Sequence, residues 1–186
     1  SADQTTDRND DESGEPHTPA GSEDVYDDKE DADIGLDPDA DSPSVLSPSE
    51  CRELRDEAAQ YYHRYVALLV LEDYDRVVRD TTRHLRVIEL CSKHAAAEDD
   101  RRALEPVRPY VTMMRARALA SAALRDNETK AAIFGIDQGL QTLRRHFERL
   151  GDAEQFERSG EVEMLRSMRE ALVPKLPVSQ KTELKQ

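Results

Sequence analysis

The chain has 186 residues and a net charge of −14, with two cysteines and no tryptophan. The charge is unevenly placed: Ser1–Glu50 holds 17 acidic residues against Arg8 and Lys29, whereas Cys51–Gln186 holds 23 acidic and 24 basic residues. That excludes a uniformly acidic globule, and Cys51 and Cys91, with no CxxC spacing, argue against both a disulfide framework and a zinc site.

Residues 1–46 read as a disordered acidic tail. They contain four prolines and, apart from Tyr26, only Val25, Ile34, Leu36, Val45 and Leu46 as large apolar residues. Such a segment buries too little apolar surface to offset the roughly 1–2 kcal/mol per residue lost on ordering a backbone. The expected roles are solubilisation, contact with a basic partner, or shielding from nucleic acid.

Ser47-Pro48-Ser49-Glu50 predicts a capping box with proline in the first turn, opening a domain over 47–178. Cys51, Leu54, Ala58, Tyr61, Tyr65, Leu68 and Leu69 then recur at helical spacing, ending near Glu72. Asp73 predicts the cap of a second helix with Tyr74, Val77, Val78, Thr81, Leu85, Ile88 and either Leu90 or Cys91 on its stripe. Glu98-Asp99-Asp100 is expected to break it, with a short helical turn over Arg101–Glu105 stopped by Pro106. Pro109 predicts the first turn of a third long helix carrying Val111, Met114, Ala118, Leu119, Ala122 and Leu124. Asp126 or Asn127 is expected to cap a fourth, with Ala132, Ile133, Ile136, Leu140, Leu143 and Phe147, stopped by Gly151. A fifth helix is expected to carry Phe156, Val162, Leu165, Met168 and Leu172, ended by Pro174 and Pro177. Ser179 predicts the start of another helix that either frays or is cut short at Gln186; the second is preferred, with the native chain expected to continue.

The fold class is therefore all-α: two antiparallel helical hairpins plus a closing C-terminal helix, either TPR-like or a helical bundle. Leu69-x3-Asp73-x3-Val77-Val78 aligns with Leu124-x3-Glu128-x3-Ala132-Ile133 at an offset of 55. Glu72-Asp73-Tyr74-Asp75-Arg76-Val77 is similar to a turn of a tetratricopeptide repeat, although that repeat is about 34 residues long.

The segments Tyr61-Tyr62-His63-Arg64, Arg76-Val77-Val78-Arg79-Asp80 and Arg108-Pro109-Tyr110-Val111 resemble the helical domain of bacterial proteins carrying a UVR (UvrB/UvrC-type) motif. Looser matches are Gly139-Leu140 and Phe156, Val162 and Leu165. The resemblance implies a scaffold without catalytic residues. The UVR hairpin itself, with its AA-x-LRD signature, is missing from these residues.

Tyr62, His63, Arg64, Arg79, Asp80, His84 and Arg108 are the candidate partner-binding or structural polar cluster. Asp80 and His84, four apart, share a helix face and form the minimal carboxylate–histidine pair for general-base work. A register-fixing polar network is the preferred reading. His63, His84 and His146 lack the lysine–glycine context of a phosphotransfer histidine. Arg83/Arg86, Arg115/Arg117 and Arg144/Arg145 with Arg149 read as solvated faces, so direct nucleic-acid binding is disfavoured. No cofactor or metal is expected. The expected function is a non-enzymatic protein-interaction scaffold with an unidentified protein partner. The alternative is an accessory of DNA repair or stress response. The longest apolar run, Tyr65–Leu71, is far short of the roughly 20 residues of a membrane span, and the expected location is cytoplasmic.

Overall fold

The computed structural model describes residues 45–176; of the acidic-tail reading over residues 1–46 all but Val45 and Leu46, together with the Pro177 stop and the helix expected from Ser179, lie outside the described residues. The fold is all-α. Four long helices dominate: α1 Pro48–Val70, α2 Tyr74–His94, α4 Arg108–Arg125 and α5 Thr129–Arg149. Between α2 and α4 lie the short α3 Glu98–Arg102 and a 3-10 turn at Glu105–Val107. The chain closes with α6 Ala153–Arg158, α7 Gly160–Leu172 and a 3-10 turn at Val173–Lys175.

The entry to α1 follows from its sequence. The Ser47 hydroxyl accepts from the Glu50 amide at 3.3 Å, and the Glu50 carboxylate accepts from the Ser47 amide at 2.8 Å. Just ahead of this box, Leu46 donates to the His94 carbonyl at 2.7 Å and accepts from the Ala96 amide at 3.0 Å. The start of α1 is thereby tied to the end of α2 by an isolated parallel bridge; no strand occurs among the described residues.

The hairpin turns repeat one backbone solution. In α1–α2, Glu72 adopts φ 57°, its amide donates to the Leu69 carbonyl, and the Asp73 amide donates to the Leu68 carbonyl. In α4–α5, Asn127 adopts φ 62°, with the same two bonds to Leu124 and Ala123. This is the Schellman arrangement, in which a left-handed residue satisfies the last carbonyls of a helix. Because the next residue also opens the following helix, the chain reverses in three residues. The 55-residue echo in the sequence is thus the recurrence of a turn as well as of apolar positions. Gly151, at φ 72°, uses the same bonds after α5.

Long helices pack in series: α1 on α2, α2 on α4, α4 on α5, with α7 closing against α4 and α5. Tyr65, Val77, Ile133, Ile136, Leu143 and Leu165 are among the largest fully buried side chains. A close approach joins α4 and α5. A Cβ added at Gly139 would lie 2.4 Å from the Ala116 Cβ and 3.2 Å from the Leu165 Cδ1. Only glycine lets these helices meet here.

Several expectations change or are resolved. Helix α2 ends at His94, before Glu98–Asp100, which opens α3, where acidic side chains suit a helix N-terminus. The short turn expected over Arg101–Glu105 is Glu98–Arg102, and Pro106 lies inside the following 3-10 turn instead of stopping a helix. Asp126 and Asn127 are the end of α4 and its left-handed turn; Glu128 precedes α5 with no side-chain cap bond. The fifth helix is two, divided at Ser159, whose hydroxyl accepts from the Val162 amide at 3.4 Å. Cys91, not Leu90, faces the interior. Pro174, expected to end the helix, lies within the closing 3-10 turn.

Three substitutions check the turn and the helix crossing by chemical denaturation. Glu72→Gly relieves a left-handed side chain and is expected to stabilise by about 0.5–1 kcal/mol. Gly139→Ala is expected to destabilise by about 1–2 kcal/mol, because overpacking outweighs its gain in helix propensity. Gly135→Ala should do the opposite, since its added Cβ would come no nearer than 3.4 Å, to the Leu119 Cβ, an ordinary contact.

Candidate functional site

Helix α2 is covered by α1 on one side and α4 on the other, so its polar residues at Asp80, Thr81 and His84 are all buried. Each must find a partner or bear the cost of desolvation. Thr81 solves this locally, donating to the Val77 carbonyl at 2.7 Å. Asp80, with no exposed surface, is served from the neighbouring helix. The Arg64 guanidinium donates through Nε to Oδ2 and through Nη2 to Oδ1, the latter at 2.8 Å. Arg79 adds Nε to Oδ1 at 3.2 Å. Burial pushes the Asp80 carboxyl up, but the two guanidinium groups outweigh it and hold the group below its ordinary value. Both arginines keep about half of their side-chain surface in solvent.

His84 is not part of this network. Its two ring nitrogens, and the hydroxyl of the fully buried Tyr65, have no hydrogen-bond partner among the described residues. The two ring centroids are 6.1 Å apart. Burial lowers the His84 pKa, so the neutral imidazole is favoured. It raises that of the Tyr65 hydroxyl, which stays protonated. Each such unsatisfied group costs about 1–3 kcal/mol.

The expected cluster thus divides. Arg64, Arg79 and Asp80 come together. The Asp80–His84 general-base pair does not form, because the carboxylate oxygens are taken by arginines. Tyr62 is 42 % exposed, with its ring beside those of His63, Tyr65 and Tyr110 at 5.3, 5.7 and 6.2 Å. His63 is exposed and meets only the Tyr62 edge among the described ring contacts.

Arg108 belongs to a second network that sequence reasoning missed. It donates to Glu105 through Nε and Nη2 at 2.8 and 2.6 Å and pairs with Glu89 at 3.2 Å. Arg149 approaches the same Glu105 at 3.8 Å. Buried His146 lies alongside; burial lowers its pKa despite the opposing charge of Glu105. The Glu105-x2-Arg108 spacing was the available signal, obscured by Pro106 and Pro109. Arg144 lies over the Phe156 ring at 4.6 Å, and Arg115 donates to the Thr82 hydroxyl at 3.0 Å, so neither is a bare solvated cation. Cys51 and Cys91 are buried free thiols close enough to influence each other, and burial raises the pKa of both, a proximity their forty-residue separation did not reveal. Among the described residues no group of three or more His, Cys, Asp or Glu is arranged to hold a metal ion, and no helix is long and apolar enough to cross a membrane.

Comparison with protein-family models, curated proteins and solved structures finds no match to this chain.

The buried imidazoles set an acid limit on stability. An unfolded histidine titrates near 6.5, whereas His84 and His146 in the fold titrate lower. Over that interval the unfolded chain holds more protons, so their contribution is complete above the unfolded value and is lost as pH falls through the folded ones. Urea denaturation is expected to show stability declining between about pH 7 and 5. His84→Leu should flatten the decline, leaving the share of His146.

Proposed function

We propose that the helical domain is a non-enzymatic protein-interaction module that accepts an apolar segment of a partner against the α4–α5 hairpin. The observation that carries this reading is Phe134. It lies in the second turn of a long helix yet is 63 % exposed, between two surface depressions. One depression is floored by small and apolar residues, Leu119, Ala122, Ala123 and Gly135, and the other is bounded by Leu176. An aromatic side chain beside a shallow apolar floor is the usual anchor of a protein contact.

The surroundings support the same reading. Asp75, Arg79 and Thr82 share a face of α2, and Asp75 and Arg115 line the first depression, so the floor has a polar rim. Serial packing of two hairpins with equivalent turns is TPR-like in character, the architecture expected of a binding scaffold. The UVR-family resemblance points to a scaffold as well. The two arginines on Asp80 favour a structural role for that cluster over proton transfer. The repair-accessory reading has no specific observation in its favour.

The test compares wild-type full-length chain with Phe134→Ala as bait in native lysate, after circular dichroism confirms both are folded. The partner retained by the wild type is expected to fall at least about tenfold with Phe134→Ala, a loss of about 1.4 kcal/mol. Equal retention by both would reject Phe134 as the anchor.

A further inference from the structure

The depression bounded by Leu176 is also the place where the described residues end. Leu176 is 3 % exposed and belongs to the main hydrophobic core, so the exit point is pinned to the domain. Its amide donates to the Val173 carbonyl at 3.2 Å, and its backbone is extended, at φ −72° and ψ 145°. An extended residue is what the following Pro177 demands. Phe134, 63 % exposed, and Ala131 line the same depression from α5. The chain therefore departs from the wall of the surface on which Phe134 stands.

The sequence runs on through at least residues 177–186, whose larger aliphatic side chains are Val178 and Leu184. On the helix expected from Ser179, Leu184 shares a face with Gln180, and Thr182 falls on the opposite flank. Residues 177–184 span up to about 26–29 Å extended, or about 16 Å with 179–184 helical. Both exceed the width of a depression of about 770 Å3 that Leu176 and Phe134 share. A tether this short holds the segment at an effective concentration in the millimolar range, so weak apolar contacts suffice. From this placement we infer that residues 177–186 fold back in cis, seating Val178 and Leu184 against Phe134 and Ala131. A docking partner must then displace the segment, a consequence that rests on the docking reading above. The partner's apparent affinity falls in proportion to the fraction of chains left open.

The chain has no tryptophan, so Phe134→Trp in the full-length chain is a sole reporter of that surface. Its indole is expected to be shielded from acrylamide. Adding Val178→Asp and Leu184→Asp should raise the quenching constant at least about twofold, the least that closure in half of the chains allows. Thr182→Asp, on the opposite flank, should leave it unchanged. Circular dichroism confirms the fold of each variant. With Phe134 intact, Val178→Asp and Leu184→Asp together should raise partner retention from lysate at least about twofold. Quenching indifferent to that pair, or raised equally by Thr182→Asp, would overturn closure in cis and leave docking to the separate Phe134→Ala comparison. Raised quenching with unchanged retention, where Phe134→Ala does lower retention, would overturn displacement by the partner.

Discussion

The burial of α2 on both sides is the constraint on which the rest depends. A helix covered by α1 and α4 cannot leave Asp80 to water, and the nearest remedy is a guanidinium from outside. Arg64 supplies it by lying on the rim of α1, its charge in solvent and its donors turned inward. The pair crosses from one helix to the next, so it sets how far α1 can slide along α2. A buried ion pair need not add net stability, but losing one partner is expensive, and that asymmetry makes it a register lock. The lock also determines what remains available: with Asp80 fully engaged, His84 has no carboxylate and stays unpartnered beside the Tyr65 ring.

Between α4 and α5 the equivalent constraint is steric. Gly139 and Ala116 bring the helices together where any larger side chain would hold them apart, and Leu165 of α7 fills the edge of the same contact. One hairpin is thus registered by charge and the other by shape, although their turns are built alike. The polar network on Arg108 then joins the connector to the ends of α2 and α5, so the short elements are fastened rather than trailing.

What was legible in the sequence was local. The Ser47 box and the Asp73 cap rest on bonds spanning three residues, and both form as read. The apolar stripes gave four long helices in their order, since period and cap agree. Asp126 and Asn127 misled because both favour caps, whereas the turn needed a left-handed residue and placed its N-cap at Glu128. Ser159 hid inside a continuous apolar stripe that a second cap divides. The Asp80 cluster was half legible: Arg64, Arg79 and Asp80 come together as grouped, whereas spacing alone put His84 with Asp80 and could not show that two guanidinium groups take the carboxylate. The Arg108 network draws on three or more elements, which no linear spacing encodes. The groove around Phe134 was missed because its stripe neighbours Ile133 and Ile136 drew attention to the buried face alone.

A double-mutant cycle on Arg64→Ala and Asp80→Asn, read by urea denaturation at neutral pH, tests the register lock most directly. The lock predicts that the single substitutions are non-additive, with a coupling energy of about 1.5–3 kcal/mol, as for hydrogen bonds to a buried charge. A coupling below about 0.5 kcal/mol, the value of an ordinary exposed pair, would contradict it.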